Sequence, residues 1–295
     1  MNKLVFIADK KDAGVKISNF LKYEKDLSTR LIKKLSRKGN ILVNGKSVKM
    51  DYTLDAGDKI EVDLTTEESQ DILPEDIPIE VVYEDSDILI VNKPPFMVVH
   101  PTKGHPTGTL SNAVMNYFIK TNQNSIVRLV NRLDRDTSGL VMIAKSQFAH
   151  QQMANKMDKN EIDKYYIAVV EGYIDGSGTI DLPIDRPSLE SIKREVMEGG
   201  QRAVTHYEVL KASNDMSLVL IKLETGKTHQ IRVHFSHIGH PLIGDTLYGR
   251  ESNLINRQAL HAYKLKFTTI REGKEIEITA DIPEDIQKLI DYIEK

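Results

Sequence analysis

The 295-residue sequence contains no cysteine and no tryptophan, and only 6% of it is aromatic. Without cysteine there can be no disulfide, no thiol nucleophile and no Cys-ligated zinc, which suits a reducing compartment. No apolar run approaches the roughly 20 residues that a spanning helix needs, and the short apolar stretch within residues 1–12 is closed by charges too early for a secretory signal. A cytoplasmic protein without membrane association is expected. A glycine-rich dinucleotide fingerprint is absent as well. Gly226-Lys227-Thr228 imitates the end of a phosphate-binding loop, but Ile221 stands where that pattern requires glycine. His229, His234, His237 and His240 lie close together without an HExxH pattern, and strand periodicity over this stretch would put His229 and His234 on opposite faces. Neither a metal nor a cofactor is expected.

What is present is the composition of an ordinary globular protein, 40% hydrophobic, with a net charge of -3 that is unevenly spread. Up to residue 60, basic residues outnumber acidic ones about two to one, whereas Glu67 to Asp85 carries eight acids and no base. The shift marks a basic module over residues 1–64, an acidic linker over 65–78 and a larger domain over 79–295.

Within the first module, Ile17, Phe20 and Leu21 repeat at helical spacing, as do Leu31, Ile32 and Leu35, with Ser28 placed to cap the second helix. Gly39 ends that helix, Ile41 to Val48 reads as a hairpin around Asn44-Gly45, and Lys59 to Val62 as a last strand. Arg30, Lys33, Lys34, Arg37 and Lys38 crowd the second helix; a charged helix face is more often only a solvated one. The order of elements resembles the S4-like RNA-binding module, first known from a ribosomal protein. The resemblance implies a handle that grips structured RNA by its backbone through Arg30, Lys33, Lys34 and Arg37, weakening with salt.

The larger domain opens with strand-like runs at Ile79–Asp85 and Ile88–Val91, stops at Asn92-Lys93-Pro94-Pro95, and returns to extended structure at Met97 to Pro101. Leu110, Val114, Tyr117 and Phe118 mark a helix, and Phe148 to Met157 another. Tyr165 to Gly172, Arg202 to Leu210, Leu218 to Thr225 and the basic run Thr228 to His234 read as strands. Long helical crossovers are scarce, so an α+β architecture with a mixed, mostly antiparallel sheet is expected beside the small N-terminal α/β module.

Three stretches carry the chemistry. Asn131 to Leu140 packs four ionic side chains and a Thr-Ser-Gly turn directly before the apolar strand Val141 to Lys145, which would hold a carboxylate rigidly at the rim of a core. The bland reading is a solvated turn with local Arg/Asp pairs. The second stretch is Lys164-x-Tyr166-x-Ala168-x-Val170-x-Gly172; the third runs from Thr225 to His234 and continues into His240-Pro241-Leu242-Ile243-Gly244-Asp245 and Tyr248-Gly249. With the K-P-P-x-x-x-V-H-P pattern at residues 93–101 and Leu260-His261-Ala262, their combination in this order resembles the RluA family of pseudouridine synthases across residues 79 to 270. Members commonly carry histidine where Asn131 stands and arginine where Lys227 stands.

That resemblance implies the pseudouridine synthase fold and a cofactor-independent isomerisation of uridine in structured RNA, with large-subunit ribosomal RNA as the implied substrate. The bond from ribose C1' to uracil N1 breaks, the base turns in the pocket, and C1' joins C5. It implies Asp134 as the nucleophile, Arg232 as the partner that fixes its rotamer, Tyr166 as the ring stacked on the uracil, and Ile231 as apolar wall. The target would leave its stack, with Arg132 filling the gap. For Arg132 the competing role is a salt bridge to Asp134 or Asp136, and for Asp136 a turn acceptor. A monomer is expected from the exposed charge. A non-catalytic RNA-binding or ribosome-assembly factor and a transfer-RNA-specific synthase stay open as alternatives.

Overall fold

Ile88-Leu89-Ile90-Val91 is apolar at every position, and the fold accounts for it: all four side chains are fully buried, because both faces of the sheet they belong to are covered. The computed structural model describes residues 3–65 and 70–294; residues 66–69 of the expected linker lie outside the described residues.

Residues 3–64 supply β1 (Lys3–Ile7), α1 (Ile17–Asn19) followed by a π-helical turn over Phe20–Glu24, α2 (Thr29–Arg37), β2 (Ile41–Val43), β3 (Lys46–Ser47) and β4 (Lys59–Asp63). The strands form one antiparallel sheet in the order β1-β4-β2-β3. Ser28 caps α2, its hydroxyl accepting from the Leu31 N–H at 3.2 Å, and Gly39 leaves the helix at φ +70°. Leu31, Ile32 and Leu35 turn inward onto Phe20, Leu21, Ile41 and Ile60, so the basic residues of α2 face outward.

The rest of the chain adds β5 (Glu80–Glu84), β6 (Ile88–Lys93), α3 (Leu110–Lys120), β7 (Arg128–Leu129), β8 (Ser138–Ala144), α4 (Gln147–Asp158) and β9 (Asp163–Glu171). It continues with β10 (Ser177–Asp181), β11 (Ile184–Asp185), β12 (Glu195–Val196), β13 (Val204–Ala212), β14 (Met216–Leu223), α5 (Gln230–His237), β15 (Leu260–Thr268), β16 (Glu275–Thr279) and α6 (Glu284–Ile293). The large sheet runs β10-β13-β14-β9-β15-β8-β6-β5, with β16 beside β15 and β7 beside β8, while β11 and β12 form a separate hairpin. Among the described residues every pair is antiparallel except β8 with β15. One face buries Leu89, Val141, Ala168 and Val219 against α3 and α5; the other lays Ile167 and Val169 on α6, and Ile88, Ile90 and Met142 near Met153 of α4.

Two expectations are corrected. Thr228 to His234 is not a strand: the chain turns at His229 and enters α5, so the histidines follow a helix and the argument from opposite strand faces does not apply. A basic run with β-branched residues resembles a strand locally, but here it belongs to α5, which packs Ile231 and Phe235 onto a face of the sheet and satisfies its backbone within a helix. Met97 to Pro101 joins no strand either. Beyond the masked residues the chain lies on the body of the domain, with Gln70 exchanging two hydrogen bonds with the Val127 backbone and Ile72 buried. The N-terminal unit touches the larger one through Phe148, buried in its core, and through Arg271, which binds Asp87 at 2.7 and 3.0 Å and the Lys3 carbonyl at 2.6 Å.

Register is what brings the distant motifs together. Gly139 of β8 faces Ala262 of β15, Ala262 faces Tyr166 of β9, and Tyr166 faces Ile221 of β14, so the loop before β8 opens beside Tyr166. The parallel pairing demands glycine there: Gly139 has φ +112°, and a Cβ would lie 2.3 Å from the Ala262 carbonyl oxygen. Gly139→Ala should therefore lower the unfolding free energy by roughly 3 kcal/mol or more, measured by urea denaturation.

Candidate active site

The loop before β8 is held from several sides. Asn131 accepts from the Met142 N–H at 2.7 Å and donates to the Leu140 carbonyl at 3.2 Å, clamping the incoming chain to β8. The Thr137 N–H donates to the Asp134 carbonyl at 3.2 Å, closing a turn over Asp134-Arg135-Asp136-Thr137. Beneath it Arg257, fully buried and paired with Asp285, donates to the Asp136 carbonyl at 3.1 Å, and Gln258 donates to the Thr137 hydroxyl at 3.1 Å.

Lys93, at the end of β6, is the fourth tie. Its fully buried ammonium donates to the carbonyls of Pro94 at 2.8 Å and of Met97 and Arg135 at 2.9 Å, one acceptor for each N–H. Burial pushes it down to about 7, Asp136 and Asp134 opposing. The proline-rich stop after β6 is thereby locked to the residue next to Asp134.

Asp134 points into a solvent-open cleft lined by Arg132, Tyr166, Lys227, Ile231 and Arg232 among others. Arg232, from the first turn of α5, donates through Nη1 to Asp134 Oδ2 at 2.9 Å. Its Nε and Nη2 make a bidentate pair with Asp245 at 2.7 and 2.8 Å, and its guanidinium lies 5.1 Å over the Tyr248 ring. The Asp245 side chain is wholly buried and also accepts the N–H groups of Leu247 and Tyr248. Burial opposes the Arg232 charge, but the hydrogen bonds and charge of Asp245, then of Asp134, hold it above the usual arginine range. Tyr166 is 8% exposed, and burial followed by the negative charge of Asp134 keeps its phenol well above its ordinary value. The phenol is therefore neutral at physiological pH.

Five of the expected residues, Asp134, Tyr166, Arg232, Arg132 and Ile231, thus line one cleft. Arg132 is exposed, and it is Arg135 that pairs with Asp136, at 2.6 and 3.0 Å. Arg30, Lys33, Lys34 and Arg37 lie elsewhere, along an open surface of α2 with Thr29 and Lys38. The histidines serve separate ends: His234 bonds Thr205 and the Leu182 carbonyl, His240 the Glu171 carbonyl, and His229 the Tyr248 hydroxyl. Asp245, Lys93, Tyr248 and Arg257 were not read as site residues. The first three stand inside recognised motifs, so the signal was present; their partners are supplied only by the fold.

A family model for RNA pseudouridylate synthase matches residues 87–237. The RNA pseudouridine synthase YlyB of Bacillus subtilis is 40% identical over 301 residues, covering 100% of this chain and 99% of that protein. The ribosomal large subunit pseudouridine synthase D of Escherichia coli K12 is 38% identical, covering 91% of this chain and 87% of its own. A solved structure of human RNA pseudouridylate synthase domain containing 1 superposes with a TM-score of 0.58 at 26% identity, over 74% of this chain and 95% of that one. The chain belongs to the RluA family of RNA pseudouridine synthases. It is an isomerase acting on RNA, and its α+β fold is that of the family.

Lys93→Met keeps the length of the side chain but leaves three buried carbonyls without a donor. We expect a loss of about 2–4 kcal/mol in urea unfolding and a fall in turnover larger than any change in RNA affinity.

Proposed function

We propose that Asp134 is the nucleophile of this isomerase, and the observation that carries the reading is the fixed pose of its carboxylate. Arg232 holds Oδ2 at 2.9 Å while itself gripped by the buried Asp245, so the rotamer is set before substrate arrives. Among the described residues Oδ1 has no such partner, and it is the oxygen available for bond-making. Tyr166 supplies a flat neutral ring for the uracil once the bond from C1' to N1 has broken, and Ile231 completes an apolar wall that excludes water. The C5 proton leaves when C1' is joined to C5, and N1 gains a proton in exchange.

The cleft opens to solvent beside Asp134 and Tyr166, and a uridine stacked within folded RNA reaches it by flipping from its stack. Arg132, exposed at the rim and, among the described residues, in no salt bridge with either aspartate, fills the gap with its planar guanidinium. Residues 1–64 act as an S4-like handle: Arg30, Lys33, Lys34 and Arg37 point outward from α2 and meet the RNA backbone. The division at 65–78 and a catalytic domain over 79–295 complete this reading. The relative named for the large ribosomal subunit favours large-subunit ribosomal RNA as substrate. The protein works as a cytoplasmic monomer.

The first test is tritium release from C5-tritiated uridine in large-subunit ribosomal RNA, with no metal or nucleotide added. The wild type should release label and Asp134→Asn none above background, its RNA affinity staying within about threefold. Substantial release by Asp134→Asn would move the nucleophile elsewhere. Replacing Arg30, Lys33 and Arg37 by glutamine should weaken RNA binding and reduce the slope of log affinity against log salt by about 2 to 3, measured by filter binding.

A further inference from the structure

We infer that His229 is a positioning residue for Asp134: a tautomer-locked N–H donor whose proton is set by Tyr248 and by the β11–β12 hairpin. The inference rests on the reading of Asp134 as nucleophile.

The direction of each hydrogen bond follows from the chemistry of the groups. The backbone N–H of Arg194, next to β12, donates to the Tyr248 hydroxyl oxygen at 2.8 Å, since an amide nitrogen cannot accept. The phenol proton is then directed to its other neighbour, His229 Nδ1, also at 2.8 Å. An Nδ1 that accepts leaves the ring's proton on Nε2, and Nε2 faces Asp134 Oδ2 at 3.8 Å. The opposite tautomer would strand the phenol proton and set a lone pair against a carboxylate. Both ends of the ring therefore select the Nε2–H form.

Local backbone points the same way. His229 sits at the N-cap of α5 in the left-handed region, φ 58° and ψ 16°. Most other non-glycine residues with positive φ among the described ones are Asp26, Asn44, Asn122 and Asn160, types that tolerate it. Histidine in that conformation stores strain, and here the strain aims the ring at the cleft.

The consequence is a division of labour between the carboxylate oxygens. Arg232 bonds Oδ2 and His229 Nε2 faces the same oxygen at 3.8 Å, which leaves Oδ1 to the ribose or base. Closing 3.8 Å to a hydrogen bond needs only a small shift, of the kind that accompanies substrate binding. A neutral donor also orients the carboxylate without adding a second positive charge that would blunt its nucleophilicity. The charged groups facing the ring are Asp134 on the loop before β8, Arg232 on α5 and Asp245 after it; Glu195 of β12 stands by Tyr248. Burial pushes the imidazole below its ordinary value, the charge of Asp134 opposing, so it is neutral at neutral pH.

The test uses full-length protein and the tritium-release assay. His229→Asn suits the left-handed backbone but is too short to reach Asp134, and should lower kcat about 10- to 100-fold with KM for RNA nearly unchanged. His229→Gln, whose amide reaches as far as Nε2, should recover most of that loss. Tyr248→Phe removes the donor to Nδ1, so the imidazole protonates more readily and the acid limb of kcat moves to higher pH. In His229→Asn that limb disappears, and adding Tyr248→Phe to it should cost little more. A kcat for His229→Asn within twofold of wild type, or an unmoved acid limb in Tyr248→Phe, would overturn the inference. Asp134→Asn run in parallel separates the two readings: if it is dead while His229→Asn is normal, only this inference fails, and if it is active the site reading fails first.

Discussion

The site depends on one guanidinium shared between two carboxylates. Arg232 is nearly buried, and a buried cation with a single loose partner would be costly. Asp245 meets that cost by binding both Nε and Nη2 while its own oxygens take two backbone N–H groups, so the pair is satisfied before Asp134 is counted. The remaining Nη1 then reaches Asp134 at the mouth of the cleft. Asp245 holds the arginine in the fold, and the arginine holds Asp134 in its pose. Such an arrangement is rigid because each side chain has its geometry dictated by another that is less exposed than itself.

The loop carrying Asp134 has no regular structure, yet it is fixed as firmly as a strand. Lys93 at the end of β6 and the adjacent Arg257 and Gln258 before β15 each reach a backbone or hydroxyl oxygen of residues 135–137, and Asn131 ties the approach. A loop's polar backbone must find partners once it is pressed against a core. Here two buried cations, Lys93 and Arg257, supply them, and the same bonds that prevent an unsatisfied carbonyl also determine where the carboxylate lies. Asn131 serves β8 rather than the cleft, bonding the Met142 N–H and the Leu140 carbonyl, so its part is loop support.

The N-terminal unit contributes a different kind of constraint. Its own core is closed by Phe148 from α4, and Arg271 joins Asp87 to the Lys3 carbonyl, so the outward-facing cations of α2 sit on a unit in contact with the catalytic sheet. Charge spread over long exposed side chains gives affinity with little geometric precision. Precision is left to the cleft, where burial enforces it.

Much was legible without coordinates, for local reasons. The cap at Ser28, the Gly39 stop, the strand at Tyr165–Gly172 and the helix over Phe148 to Met157 are written in propensities and periodicities spanning a few residues, and the motif order carried the family and pointed to Asp134, Tyr166 and Arg232, which the fold gathers in one cleft. The stretch from Thr228 to His234 has a composition that fits a strand, and only its packing on the sheet's face, with Ile231 and neighbouring Phe235 in the core, makes it a helix. Lys93 read as a charge before a proline stop, and Tyr248 as one aromatic in a motif. Sequence by itself determined which residue types are available and most of the elements whose signals are local. Tertiary structure alone decided that β8 runs parallel to β15 through Gly139, that Lys93 meets Arg135 and that Arg232 spans Asp134 and Asp245. Those contacts join residues tens of positions or more apart, or a buried charge to its compensation, and burial and partner geometry have no local signature in a chain.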